Sequence, residues 1–264
     1  MPLINYIGNR QECLDNNRRV VRGNAPPPIF LDYLVVGGGQ YGDNVAGGGG
    51  GVVSGSIRFL PRFTLDVTVG DGGTGTTLID AEASIIESTP NQFFVYAGPG
   101  YGNGTSGEPQ NNLKGGGLIP DNSSQAGAGG SGQIGQNPPT TNQGGAGGSG
   151  SFWALDNTGS IFYAGGGGGY GEAVIASQAI GGTGGNGGGG NGEGYTTSPA
   201  NGVNGLGGGG GGHRFSTNTN GGSGIVKMRY ISGSVMGATG GTISVSGSYV
   251  YHTFTSSSQF VYQP

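Results

Sequence analysis

The sequence predicts an all-β protein: a small β platform or sandwich that carries packed helices of the polyglycine-II type and long polar loops. Three observations lead to this prediction. Glycine supplies 67 of the 264 residues, against a usual share of about 7%. Short apolar or alternating runs recur along the chain, and most of them give way to glycine, as buried strands do where they leave a sheet. The glycine tracts between these runs have a local period of three.

Five runs account for the predicted β platform. Each is apolar or alternating and rich in residues that favour strands. The runs are IFLDYLVVGGG from Ile29, FTLDVTVGDGG from Phe63, FFVYAGPG from Phe93, SIFYAGGGGG from Ser160 and GIVKMRYI from Gly224. The best helix candidate is IDAEASIIES at residues 79–88, but its flanking Thr, Ser and Pro fit a strand or a turn equally well.

The glycine tracts predict threefold extended helices. Non-glycine residues fall at Gln143, Ala146 and Ser149 in QGGAGGSG, and at Thr183 and Asn186 in GGTGGNGGGG. A polyproline-II-type helix has three residues per turn, so this spacing places side chains on one edge and leaves two bare faces. Bare faces let neighbouring backbones touch and hydrogen-bond. Collagen is excluded, because the period is broken and the chain has only 13 prolines.

Composition divides the chain into three parts. Residues 1–28 are polar and end in APPP, which predicts an N-terminal attachment arm closed by a stiff extended hinge. Residues 29–231 form the glycine-rich β and polyglycine domain. Residues 232–264 form a C-terminal β segment that completes either its own sheet or the sheet of a neighbouring subunit. The arm carries a basic cluster of Arg18, Arg19 and Arg22.

Charge and cysteine content exclude several function classes. The formal net charge is −4 and the ten Lys and Arg residues are thinly spread, so the footprint of a nucleic-acid-binding protein is missing. Cys13 is the single cysteine, which excludes an intrachain disulfide and fits synthesis in a reducing compartment. No run of about 18 apolar residues and no hydrophobic signal sequence occurs. We therefore expect no membrane insertion, and synthesis in the cytoplasm without a signal peptide.

Motifs for catalysis or cofactor binding do not rise above chance. With this much glycine, GxGxxG occurs at random, and neither Lys114 nor Lys227 lies in a phosphate-binding GxxxxGK motif followed by Ser or Thr. The two histidines, His213 and His252, and Cys13 show no metal-ligand spacing. We expect no enzyme, no cofactor and no metal. The 14 acidic residues are scattered, which leaves a carboxylate pair for polysaccharide hydrolysis as a minor alternative.

The turns between the glycine tracts are rich in Asn, Thr, Ser and Tyr. Such side chains suit adaptable recognition, although solvated turns would explain any single loop as well. The residues expected at the loop tips, in contact with a receptor, are Tyr101, Asn103, Tyr195, His213 and Phe215. In contrast, His252 alternates like a strand residue, and Trp153 in SFWALDN is expected to belong to the platform.

Four segments of the sequence, taken in order, resemble the glycine-rich domain of bacteriophage tail-fibre and receptor-binding proteins. The segments are DYLVVGGG, LDVTVGDGGTG, FYAGGGGGYG and GGSGIVKMRY. Tracts separated by variable turns are also similar in style to the distal-tip adhesins of T-even-type phage long tail fibres. The resemblance implies a virion protein in a tail fibre or another external appendage, made in the host cytoplasm and assembled as a homotrimer. Its implied partners are a host cell-surface glycan or outer-membrane protein, and other virion proteins through the arm. A purely structural capsid fibre, decoration protein or tail connector is the alternative.

Overall fold

The computed structural model describes residues 4–7, 10–14, 20–24, 28–59, 62–88, 93–102, 124–155, 161–173, 176–233 and 237–262. Within these residues the protein is all-β, and the helical content is one short 3-10 helix at Ala176–Gln178. The all-β prediction is therefore confirmed. The strands are β1 (Ile4–Ile7), β2 (Arg10–Leu14), β3 (Val20–Asn24), β4 (Ile29–Val36), β5 (Val52–Phe59), β6 (Phe63–Thr68), β7 (Ser84–Ser88), β8 (Phe94–Ala97), β9 (Ser151–Phe152), β10 (Phe162–Tyr163), β11 (Ile225–Ile231), β12 (Thr242–Ser246), β13 (Tyr249–Phe254) and β14 (Ser258–Tyr262).

Two antiparallel sheets pack against each other as a sandwich. One has five strands in the order β12-β13-β11-β4-β5, and the other has four in the order β14-β6-β7-β8. Alternate side chains of each strand point into the shared core, as the two-residue period of a strand requires. The core includes Leu31, Met228 and Phe254 from the first sheet and Leu65, Ile86 and Phe260 from the second.

All five runs that predicted strands contain one, at β4, β6, β8, β10 and β11. The ambiguous segment 79–88 ends in strand β7, whose residues alternate between buried and half-buried positions. Ile86 is fully buried in the sandwich core, which favours the strand over the helix. Strand β5 was not predicted, because Ser, Gly and Ser stand together in the middle of VVSGSIRF and interrupt its apolar pattern. Its eight residues pair with all eight residues of β4.

The C-terminal segment contributes strands to both sheets of its own chain. Strand β13 pairs with β11, and β14 pairs with β6. In this chain the segment pairs with its own sheets, and completion of a neighbouring subunit's sheet stays the alternative prediction. The segment predicted as an arm contains an antiparallel three-stranded meander, β1-β2-β3, which the polar composition did not predict. Its hinge residues 25–27 lie outside the described residues.

His252 lies in β13 and is fully buried, so its predicted structural role is confirmed. Its Nδ1 is 2.7 Å from the carbonyl oxygen of Gly240 and its Nε2 is 3.2 Å from the hydroxyl of Tyr230. Because a carbonyl oxygen can only accept, Nδ1 donates and the neutral ring accepts from Tyr230 at Nε2. Burial lowers the pKa of His252 more than the bond to Gly240 raises it.

A second core joins the outer face of the five-stranded sheet to the glycine-rich region. Trp153 is buried there with Tyr163 and Ala164, against Leu34 and Val52 of the sheet. The prediction that Trp153 is a platform residue is confirmed. At the same face, the guanidinium of Arg229 donates to the Asp32 carboxylate and to the carbonyl oxygen of Leu155, both at 2.9 Å. These contacts fix the segments 151–155 and 161–164 on the sheet.

The glycine tracts bond to one another through their backbones. The tract at residues 165–169 is a clear case, since its N–H groups donate in turn to three neighbouring segments. The acceptors, in order, are the carbonyl oxygens of Gly187, Gly148, Gly47, Gly190 and Gly145, at 2.9–3.0 Å. Donors three residues apart therefore bond to the same neighbour, as a turn of three residues would produce. Packed glycine backbones are confirmed, whereas the polyglycine-II helix itself stays a prediction.

Candidate recognition loops

Two polar loops are joined by the carboxylate of Glu193. One oxygen of Glu193 accepts the backbone N–H groups of Arg214 and Phe215, at 2.6 Å and 3.0 Å. The other oxygen accepts the hydroxyl of Ser216 at 2.5 Å. The backbone N–H of Glu193 in turn donates to the carbonyl oxygen of Gly212 at 2.9 Å. We call this arrangement, made of Glu193 and residues 212–216, the Glu193 clasp.

The hydrogen bonds of the clasp favour the ionised carboxylate. Partial burial raises the pKa of Glu193, but the hydroxyl of Ser216 and the backbone N–H groups of Arg214, Phe215 and Ser216 lower it by more. The net result is a pKa below the ordinary value of 4.5. A carboxylate that accepts several N–H donors is stabilised in its charged form, so the clasp is closed at neutral pH.

The clasp presents an aromatic side chain to solvent. Phe215 is 81% exposed, and the guanidinium carbon of Arg214 lies 5.0 Å from the centre of its ring. Arg214 also forms an ion pair with Glu172. A cation over the ring face and a carboxylate behind that cation restrict the orientations of Phe215, so its apolar surface is exposed in a limited set of positions.

Tyr195 lies on the second loop, two residues after Glu193. Its side chain is 60% exposed, while its backbone N–H donates to the carbonyl oxygen of Ala179 at 2.9 Å. The preceding Gly194 donates to the carbonyl oxygen of Thr197 at 2.9 Å. The loop backbone is thus tied down while the aromatic ring remains accessible. Glu193 therefore connects the loops of two predicted recognition residues, Tyr195 and Phe215.

His213 occupies a different position from the one predicted. Its side chain is only 5% exposed, so it does not form a loop tip. Its Nε2 donates to the amide oxygen of Asn218 at 2.8 Å and lies 3.6 Å from the carboxylate of Asp43. Its backbone N–H donates to the carbonyl oxygen of Asp43 at 3.0 Å. An aromatic ring with a polar edge suits this role, because it fills space under the loop and still bonds to it. His213 supports the loop from inside.

The other predicted residues do not join the clasp in the described structure. Tyr101 is 42% exposed, and its carbonyl oxygen accepts the N–H of Gly48 at 3.3 Å. Asn103 lies outside the described residues, as do Arg18 and Arg19 of the basic cluster. Arg22 lies in β3.

Sequence reasoning missed the three charged residues that organise these loops, which are Glu172, Glu193 and Arg214. A signal for them was present. Charged residues make up only 9% of the chain, and Glu193 stands alone in GNGEGY between uncharged stretches. A carboxylate placed in such surroundings needs hydrogen-bond donors to offset the loss of water. The identity of those donors was out of reach, because they lie 21 to 23 residues further along the chain.

Chemically, the clasp is suited to binding. It combines a fixed backbone with exposed aromatic rings, which give large contact area at low cost in conformational entropy. In the described part of the chain, no three His, Cys, Asp or Glu residues are placed to hold a metal ion. The same described residues contain no helix that is long and apolar enough to cross a membrane.

A family model described as a glycine-rich domain matches residues 24–231. The match extends from the end of β3 to the end of β11 and includes both loops of the Glu193 clasp. No curated protein and no solved structure matches the chain.

Proposed function

The chain belongs to the family of glycine-rich domains, and we propose that it is a structural protein of a bacteriophage virion. In this proposal it is part of a tail fibre or fibre tip and binds the surface of the bacterial host. Its recognition surface comprises the exposed loops held on the glycine backbones. The ligand is a cell-surface glycan or an outer-membrane protein.

The observation that carries the proposal is the Glu193 clasp. It tethers the 214–216 backbone through three hydrogen bonds and leaves Phe215 almost fully exposed. A solvent-exposed aromatic side chain costs free energy in water, and tying its loop down reduces the entropy lost when a partner binds. Both features favour a surface that binds a partner over a turn that merely connects two segments.

The glycine backbones explain how such loops are held. Segment 207–212 donates hydrogen bonds to segment 165–169, from Gly209 N–H to the carbonyl oxygen of Gly165 and from Gly212 N–H to that of Gly168, both at 2.9 Å. Both segments also bond to several further segments. Loops that start and end on hydrogen-bonded backbone have little freedom at their ends. The Glu193 clasp begins at Gly212, the last residue of such a segment, and inherits its rigidity.

The proposal is tested by replacing the two exposed aromatic residues together, in Tyr195→Ala/Phe215→Ala. Aromatic anchors at the centre of an interface contribute about 2 kcal/mol each, so the double variant should bind cells at least tenfold more weakly, at roughly 1.4 kcal/mol per factor of ten. Binding of the fluorescently labelled full chain to whole cells of a panel of Gram-negative bacteria is the measurement. Because neither ring is buried, the melting temperature should be unchanged.

The matched control is Phe94→Ala, since Phe94 is 60% exposed on strand β8, away from the loops. This variant should bind cells as the parent chain does. If the double variant and the control bound equally well, the loops would not be the recognition surface. If the parent chain bound no strain of the panel, the proposal would give way to a purely structural virion component.

A further inference from the structure

A polar groove of about 400 Å³ lies beside the outermost glycine segments. Two of its walls are the neighbouring segments 201–204 and 220–223, which are joined by the hydrogen bond from Gly202 N–H to the carbonyl oxygen of Asn220, at 2.8 Å. The side chains that line it are short and polar, namely Asp71, Thr74, Asn201, Asn204, Asn220, Ser223 and Thr255. Nothing in the Glu193 clasp belongs to this groove.

Three asparagines in the groove are held in one orientation. The Oδ1 of Asn201 accepts the backbone N–H of Asn220 at 2.8 Å, and the Oδ1 of Asn204 accepts the backbone N–H of Ser223 at 3.1 Å. The Oδ1 of Asn220 accepts the backbone N–H of Gly75 at 3.0 Å. Because an N–H group can bond only to the oxygen of a carboxamide, these contacts fix which end of each side chain is Nδ2.

The Nδ2 groups are therefore preorganised donors. None of the three Nδ2 groups donates a hydrogen bond to a residue that the structure describes. Asn201 and Asn204 are three residues apart, and so are their partners Asn220 and Ser223. An extended backbone rises about 3.1 Å per residue, so the two carboxamides repeat at roughly 9 Å along the groove. This spacing suits a ligand that extends along the groove more than a single small ion.

The lining also defines the chemistry of the ligand. It offers N–H donors from the asparagines, hydroxyl groups from Thr74 and Ser223, and one carboxylate acceptor from Asp71. The lining contains no Lys or Arg that would attract an anion and no large apolar side chain that would bind an apolar group. The backbone N–H groups of Gly202 and Gly205 are already bonded to residues 220 and 223, so an added peptide strand would find these donors occupied.

We propose that this groove binds a neutral carbohydrate chain. Sugar hydroxyl groups accept hydrogen bonds from the Nδ2 groups of Asn201, Asn204 and Asn220, and donate to the carboxylate of Asp71. A hydroxyl both donates and accepts, so a polyol can satisfy donors and acceptors that alternate along one surface. This proposal depends on the groove alone and holds whether or not the loops bind a host cell.

The test replaces the donors and keeps the backbone support, in the variant Asn201→Asp/Asn204→Asp. Aspartate retains an oxygen that can accept from Asn220 and Ser223 but lacks the amide N–H groups. The full-length protein is titrated separately with maltohexaose, cellohexaose, mannohexaose and chitohexaose, and the side-chain amide signals of the asparagines are followed by NMR, with Asn220 as the signal that every variant keeps. At least one oligosaccharide should shift the Asn201 and Asn204 signals at millimolar concentration. Loss of two donors should weaken that binding by about tenfold or more.

The matched control is Asn191→Asp. Asn191 is exposed, its Oδ1 also accepts a backbone N–H, from Gly184 at 2.8 Å, and it is not part of the groove lining. The Asn191→Asp variant should bind the oligosaccharide as the parent chain does. A second variant, Asp71→Asn, replaces the carboxylate at this exposed position by a neutral carboxamide with a single, weaker acceptor oxygen. It should also weaken binding, which keeps the test decisive if the double variant is unstable. Absence of shifts with all four oligosaccharides, or unchanged affinity in Asp71→Asn and the double variant, would overturn the proposal.

Discussion

Adding one methyl group inside the glycine scaffold should destabilise this protein. In Gly165→Ala, the new Cβ would lie 2.5 Å from the carbonyl oxygens of both Gly185 and Asn186. Real Cβ atoms do not approach closer than 3.0 Å, so residue 165 has to retreat by about 0.5 Å from this neighbour. The hydrogen bond from its N–H to the carbonyl oxygen of Gly187 is 3.0 Å long, and would stretch beyond the ordinary limit of about 3.2 Å.

The size of the destabilisation follows from the backbone hydrogen bonds that the residues at this contact make. The N–H of Gly165 donates to Gly187, and its carbonyl oxygen accepts the N–H of Gly209 at 2.9 Å. The carbonyl oxygen of Asn186 accepts the N–H of Gly150 at 2.7 Å. Each backbone hydrogen bond contributes about 0.5–1.5 kcal/mol net, so weakening two or three of them costs about 2 kcal/mol. For a chain of this size the melting temperature should fall by roughly 4–8 °C.

The control is Gly102→Ala. Gly102 has no left-handed φ, and the nearest atom to its added Cβ is the Nε2 of Gln40, at 3.9 Å. Alanine at such a site restricts the unfolded chain and stabilises by about 0.4–1 kcal/mol, so the two substitutions should move the melting temperature in opposite directions. Differential scanning calorimetry of the parent chain and both variants is the assay. If Gly165→Ala melted at or above the temperature of the parent chain, the backbone contacts would not be the reason for glycine at this position.

Two further predictions concern pH. Because hydrogen bonding lowers the pKa of Glu193 below 4.5, the clasp is stable above that pH and is lost as pH falls through the folded-state pKa. The amide NMR signals of Arg214 and Phe215 should titrate with a midpoint below 4.5, and a midpoint at or above it would contradict the clasp. Burial lowers the pKa of His252 from its ordinary 6.5, so its contribution to stability is present above pH 6.5 and is lost as pH falls towards the folded-state pKa. The melting temperature should therefore drop on acidification in the parent chain more than in His252→Phe, and parallel pH profiles of the two proteins would contradict this.

Strand positions were predictable wherever the sequence carried a strong local pattern. The run IFLDYLVV forms β4 and GIVKMRYI contains β11, since apolar residues of high strand propensity stand next to a glycine-rich segment, which follows β4 and precedes β11. Strand β5 was missed because three consecutive residues of low strand preference or small size, Ser54, Gly55 and Ser56, interrupt its apolar pattern. That segment is a strand through its pairing with β4, which is information that no local pattern contains.

The candidate binding residues were predictable in type more than in position. Exposed Tyr195 and Phe215 follow from the rule that loops lie at the surface. His213 does not, because its burial depends on Asp43 and Asn218, and Asp43 is distant in the chain. Asn201 and Asn204 belong to the Asn-rich turns between the glycine tracts, but their orientation depends on the 220–223 segment beside them.

By itself, the sequence determined that this chain is all-β and that its glycine tracts pack backbone to backbone. These conclusions hold because strand propensity and the missing Cβ of glycine are properties of residues and their immediate neighbours. Tertiary structure alone decided which tracts are neighbours, that Glu193 holds residues 214–216, and that three carboxamides share one groove. Glycine has no side chain to specify a partner, so the choice among many equivalent backbones is made by the whole fold.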